Sequence, residues 1–238
     1  MAGLIAWHEL FTEDVTGAVP FYSELLGLEL ETADMGDFQY TMLKKGEHTE
    51  AGFVPKDSTT PEGTPNHWYP YIHVDDVDAT IEKAKTLGAE AYMGPMDPME
   101  NLRIAVLGDP QRATFGILSS PGAQPSTIVN WNELHATDVD AAASFYGDLV
   151  GWTKEPFMEG YFALNAGETA AGGLMQERSG SPVAYWLPYF SVEDVDAAVA
   201  WVMEHGGGSI VPPETMEGVG RFAVLSDPGG AAFGVHQP

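Results

Sequence analysis

The sequence predicts an α+β protein of tandem domains, each made of two β-α-β-β-β modules. Three observations predict it. The 238-residue chain repeats itself once. Each copy holds a weaker inner repeat. Each inner unit sets one stretch of helical apolar period beside several short stretches of period two.

The outer repeat is explicit. Trp7-His8-Glu9-Leu10 returns as Trp131-Asn132-Glu133-Leu134, Asp14-Val15 as Asp138-Val139, Phe21-Tyr22 as Phe145-Tyr146 and Gly27 as Gly151, at an offset of 124. Trp68-Tyr69-Pro70-Tyr71 then matches Trp186-Leu187-Pro188-Tyr189 at an offset of 118, and Asp76-Val77-Asp78-Ala79 matches Asp194-Val195-Asp196-Ala197. Over Arg103–Gly116 and Arg221–Gly234, 9 of 14 positions are identical. The second copy has lost six residues, three between Gly27 and Gly46 and three between Phe53 and Trp68. The copies place domains at 1–121 and 128–238, joined by a polar, Pro/Gly-rich linker at 122–127.

In the first module Leu4–Phe11 reads as a strand and Glu13-Asp14 as an acidic turn. A helix follows with Ala18, Phe21, Tyr22, Leu25 and Leu26 on one face and Gly27 at its end. Asp at the start and Gly at the stop are what helix caps require. Leu28–Thr32, Phe38–Leu43 and Glu50–Val54 complete the module as strands. The second module runs from Tyr69–Val74 through Asp75-Asp76 into a helix carrying Ile81, Ala84 and Leu87, stopped by Gly88. Its strands are Glu90–Met93, Arg103–Leu107 and Ala113–Ser119, and the second copy repeats both modules. Pro70 and Pro188 interrupt strands, which places those strands at an edge or a bulge.

Composition sets the exclusions. Ten Lys+Arg against 35 Asp+Glu give a formal charge of −25. So few cations make no basic stripe for a phosphate backbone or an anionic membrane surface. No apolar run is long enough to span a bilayer and no signal-like leader opens the chain, so a cytoplasmic protein is expected. Zero Cys removes disulfides, thiolate metal sites and Cys nucleophiles. The acidity has two readings, solubility through net repulsion and adaptation to high salt. The oligomeric state is open between monomer and homodimer.

The paired modules, the Asp-then-Phe-Tyr helices (Asp14, Phe21, Tyr22; Asp138, Phe145, Tyr146), the glycine stops (Gly27, Gly151) and the hairpins Asp109-Pro110 and Asp227-Pro228-Gly229-Gly230 resemble the vicinal oxygen chelate superfamily. This is the glyoxalase, bleomycin-resistance and extradiol-dioxygenase group, and the chain is similar to its two-domain glyoxalase-like and hydroxylase-assigned members. The resemblance implies that each domain curves into an eight-stranded cup with helices outside and a small organic molecule inside. Catalytic members hold a divalent metal on the cup wall. The positions the resemblance assigns to its ligands fall on Trp7 and Trp131, Tyr69 and Leu187, Gly116 and Gly234, and the stretches Ala51–Phe53 and Gly172–Leu174. No usual ligand set is present in either copy.

Residues two apart share a strand face. Trp7 and Glu9 thus share one face, Trp131, Glu133 and His135 a second, Tyr69, Tyr71 and His73 a third, with Tyr189 and His236 on others. Glu133, His135 and His236 form the candidate catalytic set, open to three readings: a buried hydrogen-bonded pair, a displaced divalent-metal site, or metal-free acid/base and ligand contact. Trp7, Glu9, Tyr69, Tyr71, His73, Trp131 and Tyr189 are the candidate ligand contacts. Arg103 and Arg221 join them as anchors for a substrate anion, against an ion pair with a strand carboxylate. His8 reads as structural, His205 as a helix cap, and His48 and His67 as solvated loop residues. The function expected is handling of a small organic molecule, either as a lyase- or dioxygenase-type enzyme or as a metal-free protein that sequesters an aromatic metabolite or antibiotic.

Overall fold

A computed structural model describes residues 3–36 and 39–238. Phe38, expected to open a strand, lies outside the described residues. The elements run β1 (Ile5–Thr12), α1 (Val15–Leu26), β2 (Glu29–Asp34), β3 (Gln39–Lys45), β4 (His48–Pro55), β5 (His67–His73), α2 (Val77–Thr86), β6 (Glu90–Met99), β7 (Leu102–Gly108) and β8 (Thr114–Ser119). The second copy follows with β9 (Val129–Ala136), α3 (Val139–Val150), β10 (Thr153–Met158), β11 (Tyr161–Ala166), β12 (Thr169–Gln176), β13 (Tyr185–Ser191), α4 (Val195–Glu204), β14 (Gly208–Met216), β15 (Gly220–Ser226) and β16 (Ala232–Gln237). This is the α+β class expected, with each copy forming one mixed eight-stranded sheet. The strand orders are β2-β3-β4-β1-β5-β8-β7-β6 and β10-β11-β12-β9-β13-β16-β15-β14.

The helices begin and end where the sequence places caps. Asp14, Asp76, Asp138 and Asp194 each accept from the backbone N–H three residues on, at 2.8–3.0 Å. Gly27 and Gly151 close α1 and α3 in the left-handed conformation, with φ of 63° and 78°. The edge placement expected for Pro70 and Pro188 is corrected, because β5 and β13 lie inside their sheets. The parallel ladder to the next strand starts one residue later, at Tyr71↔Gly116 and Tyr189↔Gly234, so neither proline breaks a registered pair of it.

The compact units follow a different partition from the repeat. One unit holds the segment up to Trp7 with residues 69–125 and 131–187; the other holds 8–68, 126–130 and 188–238. Each therefore packs one module of the first copy with one module of the second. In the first unit Ile81 and Ala84 of α2 and Leu107, Phe115 and Ile117 of β7 and β8 share a core with Phe145, Tyr146 and Leu149 of α3. In the second, Phe21 and Tyr22 of α1 and Phe53 of β4 share one with Phe190, Val202 and Phe233.

Each core is stitched by the same three residues. In the first unit the Tyr146 hydroxyl donates to Asp109 Oδ2 at 3.2 Å and accepts from Trp186 Nε1 at 3.1 Å. In the second the Tyr22 hydroxyl donates to Asp227 Oδ2 at 3.1 Å and accepts from Trp68 Nε1 at 2.9 Å. The helix Tyr of one copy thus holds the hairpin Asp of the other. Asp109 Oδ1 also accepts from the backbone of Gln111 and Ala113, and Asp227 Oδ1 from Ala231. Burial pushes the Asp109 carboxyl up to about 6 and raises that of Asp227. The linker is tied within the second unit: buried Glu50 accepts from Ser126 Oγ and from the Thr127 backbone and hydroxyl, at 2.6–2.9 Å.

Candidate functional site

Strand β9 sets the chemistry of the first unit. Trp131, Glu133 and His135 alternate along it, and Glu133 lies in register with Gly173 of β12. Tyr161 of β11 crosses that glycine. A Cβ on Gly173 would stand 1.9 Å from the Tyr161 hydroxyl oxygen, so only glycine leaves the phenol its place. The hydroxyl accepts from Trp131 Nε1 at 2.6 Å and donates to Glu133 Oε1 at 2.8 Å. Burial, then the Glu133 charge, raises the Tyr161 phenol, so it stays a donor. The other carboxylate oxygen, Oε2, meets His135 Nε2 at 3.3 Å. The imidazole is stacked on Tyr185, with ring centroids 4.7 Å apart and planes 10° from parallel. Glu133 and His135 keep only 13% and 14% of their side-chain surface exposed, and that burial strengthens the pair.

The same unit carries Tyr69, Tyr71 and His73 on β5. Tyr69 and Tyr71 are buried, with rings 5.5 Å apart. Tyr71 lies flat against Gly116, where an added Cβ would stand 2.2 Å from its ring. His73 is half-buried, and its Nδ1 is enclosed without a hydrogen-bond partner.

The second unit repeats these devices with altered residues. Tyr40 donates to Glu9 Oε1 at 2.6 Å and crosses Gly52, whose Cβ would stand 2.0 Å from the phenol oxygen. Tyr189 lies on Gly234 as Tyr71 lies on Gly116, at 2.2 Å from the would-be Cβ. Phe11 stands where the second copy has His135, and it meets His67 edge-on at 5.8 Å. His236 Nε2 donates to the Val219 carbonyl at 2.9 Å.

The structure thus brings Glu133 and His135 together and places His236 in the other compact unit. Among the described residues, no group of three His, Cys, Asp or Glu side chains is placed to hold a metal ion. The positions that the resemblance assigns to metal ligands carry indole rings at Trp7 and Trp131, a phenol and an alkyl group at Tyr69 and Leu187, and glycines roofed by tyrosine at Gly116 and Gly234; the stretches Ala51–Phe53 and Gly172–Leu174 carry tyrosine-roofed glycines too, Gly52 and Gly173, and no ligating side chain. A divalent cation needs several convergent N or O donors at about 2.0–2.6 Å, and these positions do not fit one.

Arg103 and Arg221 turn to the helices. Arg103 forks onto Asp78 of α2 at 2.6 and 2.8 Å and also onto Asp97. Arg221 forks onto Asp196 of α4 at 2.7 Å and bonds Thr215. The strand carboxylate expected is there for Arg103, since Asp97 lies on β6, beside the helix carboxylate Asp78, whereas the carboxylate partner of Arg221 is on a helix. His8 is buried, and His205 caps α4 while stacked on Trp201 at 3.8 Å. Two expectations are corrected: His48 and His67 open strands β4 and β5 instead of lying in loops, and enclosure of His67 lowers its pKa. Tyr40 and Tyr161, with Gly52 and Gly173, escaped the sequence reading. Each pair recurs at an offset of 121, between the 124 and 118 of the flanking blocks, and that intermediate offset is the signal that finds them.

Comparison with known proteins follows the same two halves. Residues 9–118 match the model of the glyoxalase-like domain, and residues 128–235 match that of the glyoxalase/bleomycin resistance protein/dioxygenase superfamily. The chain is 34% identical to a Mycobacterium tuberculosis protein named "Putative glyoxylase CFP32", over 98% of this chain and 94% of that one. It is 30% identical to the anthracycline biosynthesis protein DnrV of Streptomyces peucetius, over 98% and 92%. Among solved structures it is similar to the Mn(II)-bound glyoxalase of Novosphingobium aromaticivorans (TM-score 0.69, 16% identity, 99% of this chain and 82% of that one). It is also similar to 2,2',3-trihydroxybiphenyl 1,2-dioxygenase of Sphingomonas wittichii (TM-score 0.68, 13% identity, 100% and 91%). At those identities the structural likeness is one of fold.

Proposed function

Because the chain belongs to the glyoxalase/bleomycin resistance/dioxygenase superfamily, with its vicinal oxygen chelate fold, we propose that it handles a small aromatic organic molecule and does so without a metal at the superfamily's ligand positions. One observation carries this reading. In both copies the glycines at those positions lie under tyrosines, Tyr40, Tyr71, Tyr161 and Tyr189. The surfaces that would face a metal face a ligand's rings instead. Trp7, Tyr69, Tyr71, His73 and Trp131 in the first unit, and Glu9 and Tyr189 in the second, are the proposed contacts. Rings supply broad apolar area at small entropic cost, and the Glu–Tyr pairs supply fixed polar points. The name of the relative DnrV, an anthracycline biosynthesis protein, agrees with an aromatic ligand.

The test is quenching of tryptophan fluorescence by 1,8-dihydroxyanthraquinone in protein stripped with EDTA. Saturable quenching, unchanged when Zn²⁺, Mn²⁺ or Fe²⁺ is restored, is the expected result. Absence of saturable quenching, or binding that requires one stoichiometric metal ion, overturns the reading.

A further inference from the structure

We propose that His135 is a metal-independent general base, set by Glu133, for small molecules that carry an activated C–H bond. This rests on the reading that the sheet faces take a flat organic molecule.

Glu133 Oε2 is an acceptor, so His135 Nε2 carries the proton between them and the lone pair falls on Nδ1. A carboxylate in that place fixes the tautomer and stabilises the imidazolium that forms when Nδ1 takes a proton. The carboxylate is itself held. Its other oxygen accepts from Tyr161, which accepts from Trp131, so a line of four side chains ends on the imidazole. Tyr185 fixes the plane of the ring by stacking. The first copy lacks this arrangement. Its Glu9–Tyr40 pair is intact, but Phe11 stands in the place of His135. The base therefore belongs to one copy, and Glu133 is its positioning residue.

The proposed step needs no oxidant. The substrate C–H proton passes to His135 Nδ1. The C–H electron pair forms a π bond to the neighbouring atom, and either a carbonyl oxygen takes the charge or a leaving group departs with it. In the first case the imidazolium returns the proton to a second carbon, and the net reaction is an isomerisation. In the second the products are an alkene or nitrile and the leaving group, and the imidazolium gives its proton to that group or to water.

The probe is 5-nitrobenzisoxazole, flat, neutral and aromatic. Loss of its C3 proton breaks the N–O bond and releases 2-cyano-4-nitrophenolate, which is read by absorbance. EDTA-stripped protein should eliminate it with saturation, about 100-fold or more faster than the same concentration of free imidazole. His135→Gln should lose at least about 50-fold of that rate, and free imidazole should restore part of it to His135→Ala. Glu133→Gln should lower kcat about tenfold or more with KM unchanged, because it removes the charge that stabilises the imidazolium. A rate no greater than free imidazole, or one untouched by His135→Gln or abolished by EDTA, overturns the proposal. Anthraquinone quenching separates the two readings. Quenching without elimination sinks the base and leaves the binding site standing, whereas loss of quenching sinks the binding site.

Discussion

Tyr146→Phe removes one oxygen from the first unit and strands two buried groups. Asp109 Oδ2 loses a donor at 3.2 Å, and Trp186 Nε1–H loses an acceptor at 3.1 Å. An unsatisfied buried donor costs about 1–3 kcal/mol and a charged group more, so the expected loss is about 2–4 kcal/mol. It also depends on pH. The Asp109 carboxyl titrates at about 6 in the folded protein against 3.8 for its ordinary value. That raised value means the folded state favours the protonated acid, by about 3 kcal/mol at 1.36 per unit. This stability is fully present below the unfolded value near 3.8 and is lost as pH rises through about 6. Tyr146 donates to the carboxylate and pulls its pKa down, so without it the carboxyl moves higher still. The Tyr146→Phe penalty is therefore larger at pH 8 than at pH 4. Urea unfolding of wild type, Tyr146→Phe, Asp109→Asn and the double variant at both pH values measures it. The coupling between the two positions should be at least about 1 kcal/mol at pH 8. A penalty under about 0.5 kcal/mol, the range of ordinary surface changes, or one of equal size at both pH values refutes the reasoning.

Three further outcomes follow from contacts described above. Gly116→Ala puts a Cβ 2.2 Å from the Tyr71 ring and should cost about 1–3 kcal/mol, measured by denaturant unfolding; Tyr71→Ala in the same chain should relieve most of it, and strictly additive effects would show that the ring is not the obstacle. Glu50→Gln weakens three bonds to Ser126 and Thr127 and should cost about 1.5–3 kcal/mol, with faster hydrogen exchange at the Thr127 amide; an unchanged amide would mean the linker is held elsewhere. Arg103→Ala and Arg221→Ala should leave anthraquinone quenching within about twofold of wild type, under half a kcal/mol in binding, because both guanidiniums are engaged by helix carboxylates. A tenfold loss in either would restore them as ligand anchors.

The repeat, the caps and the four modules were legible because each rests on neighbours in sequence: Asp14 and Gly17, or alternation along β7. The partners of the buried hairpin aspartates were not. Tyr22 and Asp227 stand 205 residues apart in opposite copies, and no local pattern joins them. Which residues stand at the ligand positions that the resemblance assigns could be counted from the helix-start aspartates. What lies over the glycines among them could not, because Gly52, Gly116, Gly173 and Gly234 read as turn or packing glycines until the tyrosine above each is seen. Glu133 and His135 were legible as face-sharing residues on one strand. Tyr161 and Tyr185, which orient them, lie 28 and 50 positions away and enter only through pairing and stacking.

Each tyrosine hinge has one end in each copy, and so does each core. A single copy would present its Tyr–Trp pair with no aspartate to hold, and its aspartate with no tyrosine. The exchange is reciprocal, as at the self-complementary interface of a symmetric homodimer. Two separate copies would have to keep every such residue identical, since one gene would specify both sides. Joined in one chain, the copies are released from that identity. They have kept it at Tyr22 and Tyr146, where the cores depend on it, and abandoned it at Phe11 and His135, where the proposed base lies. Fusion of the copies is thus what permits the two like halves to differ at Phe11 and His135 while both cores stay whole.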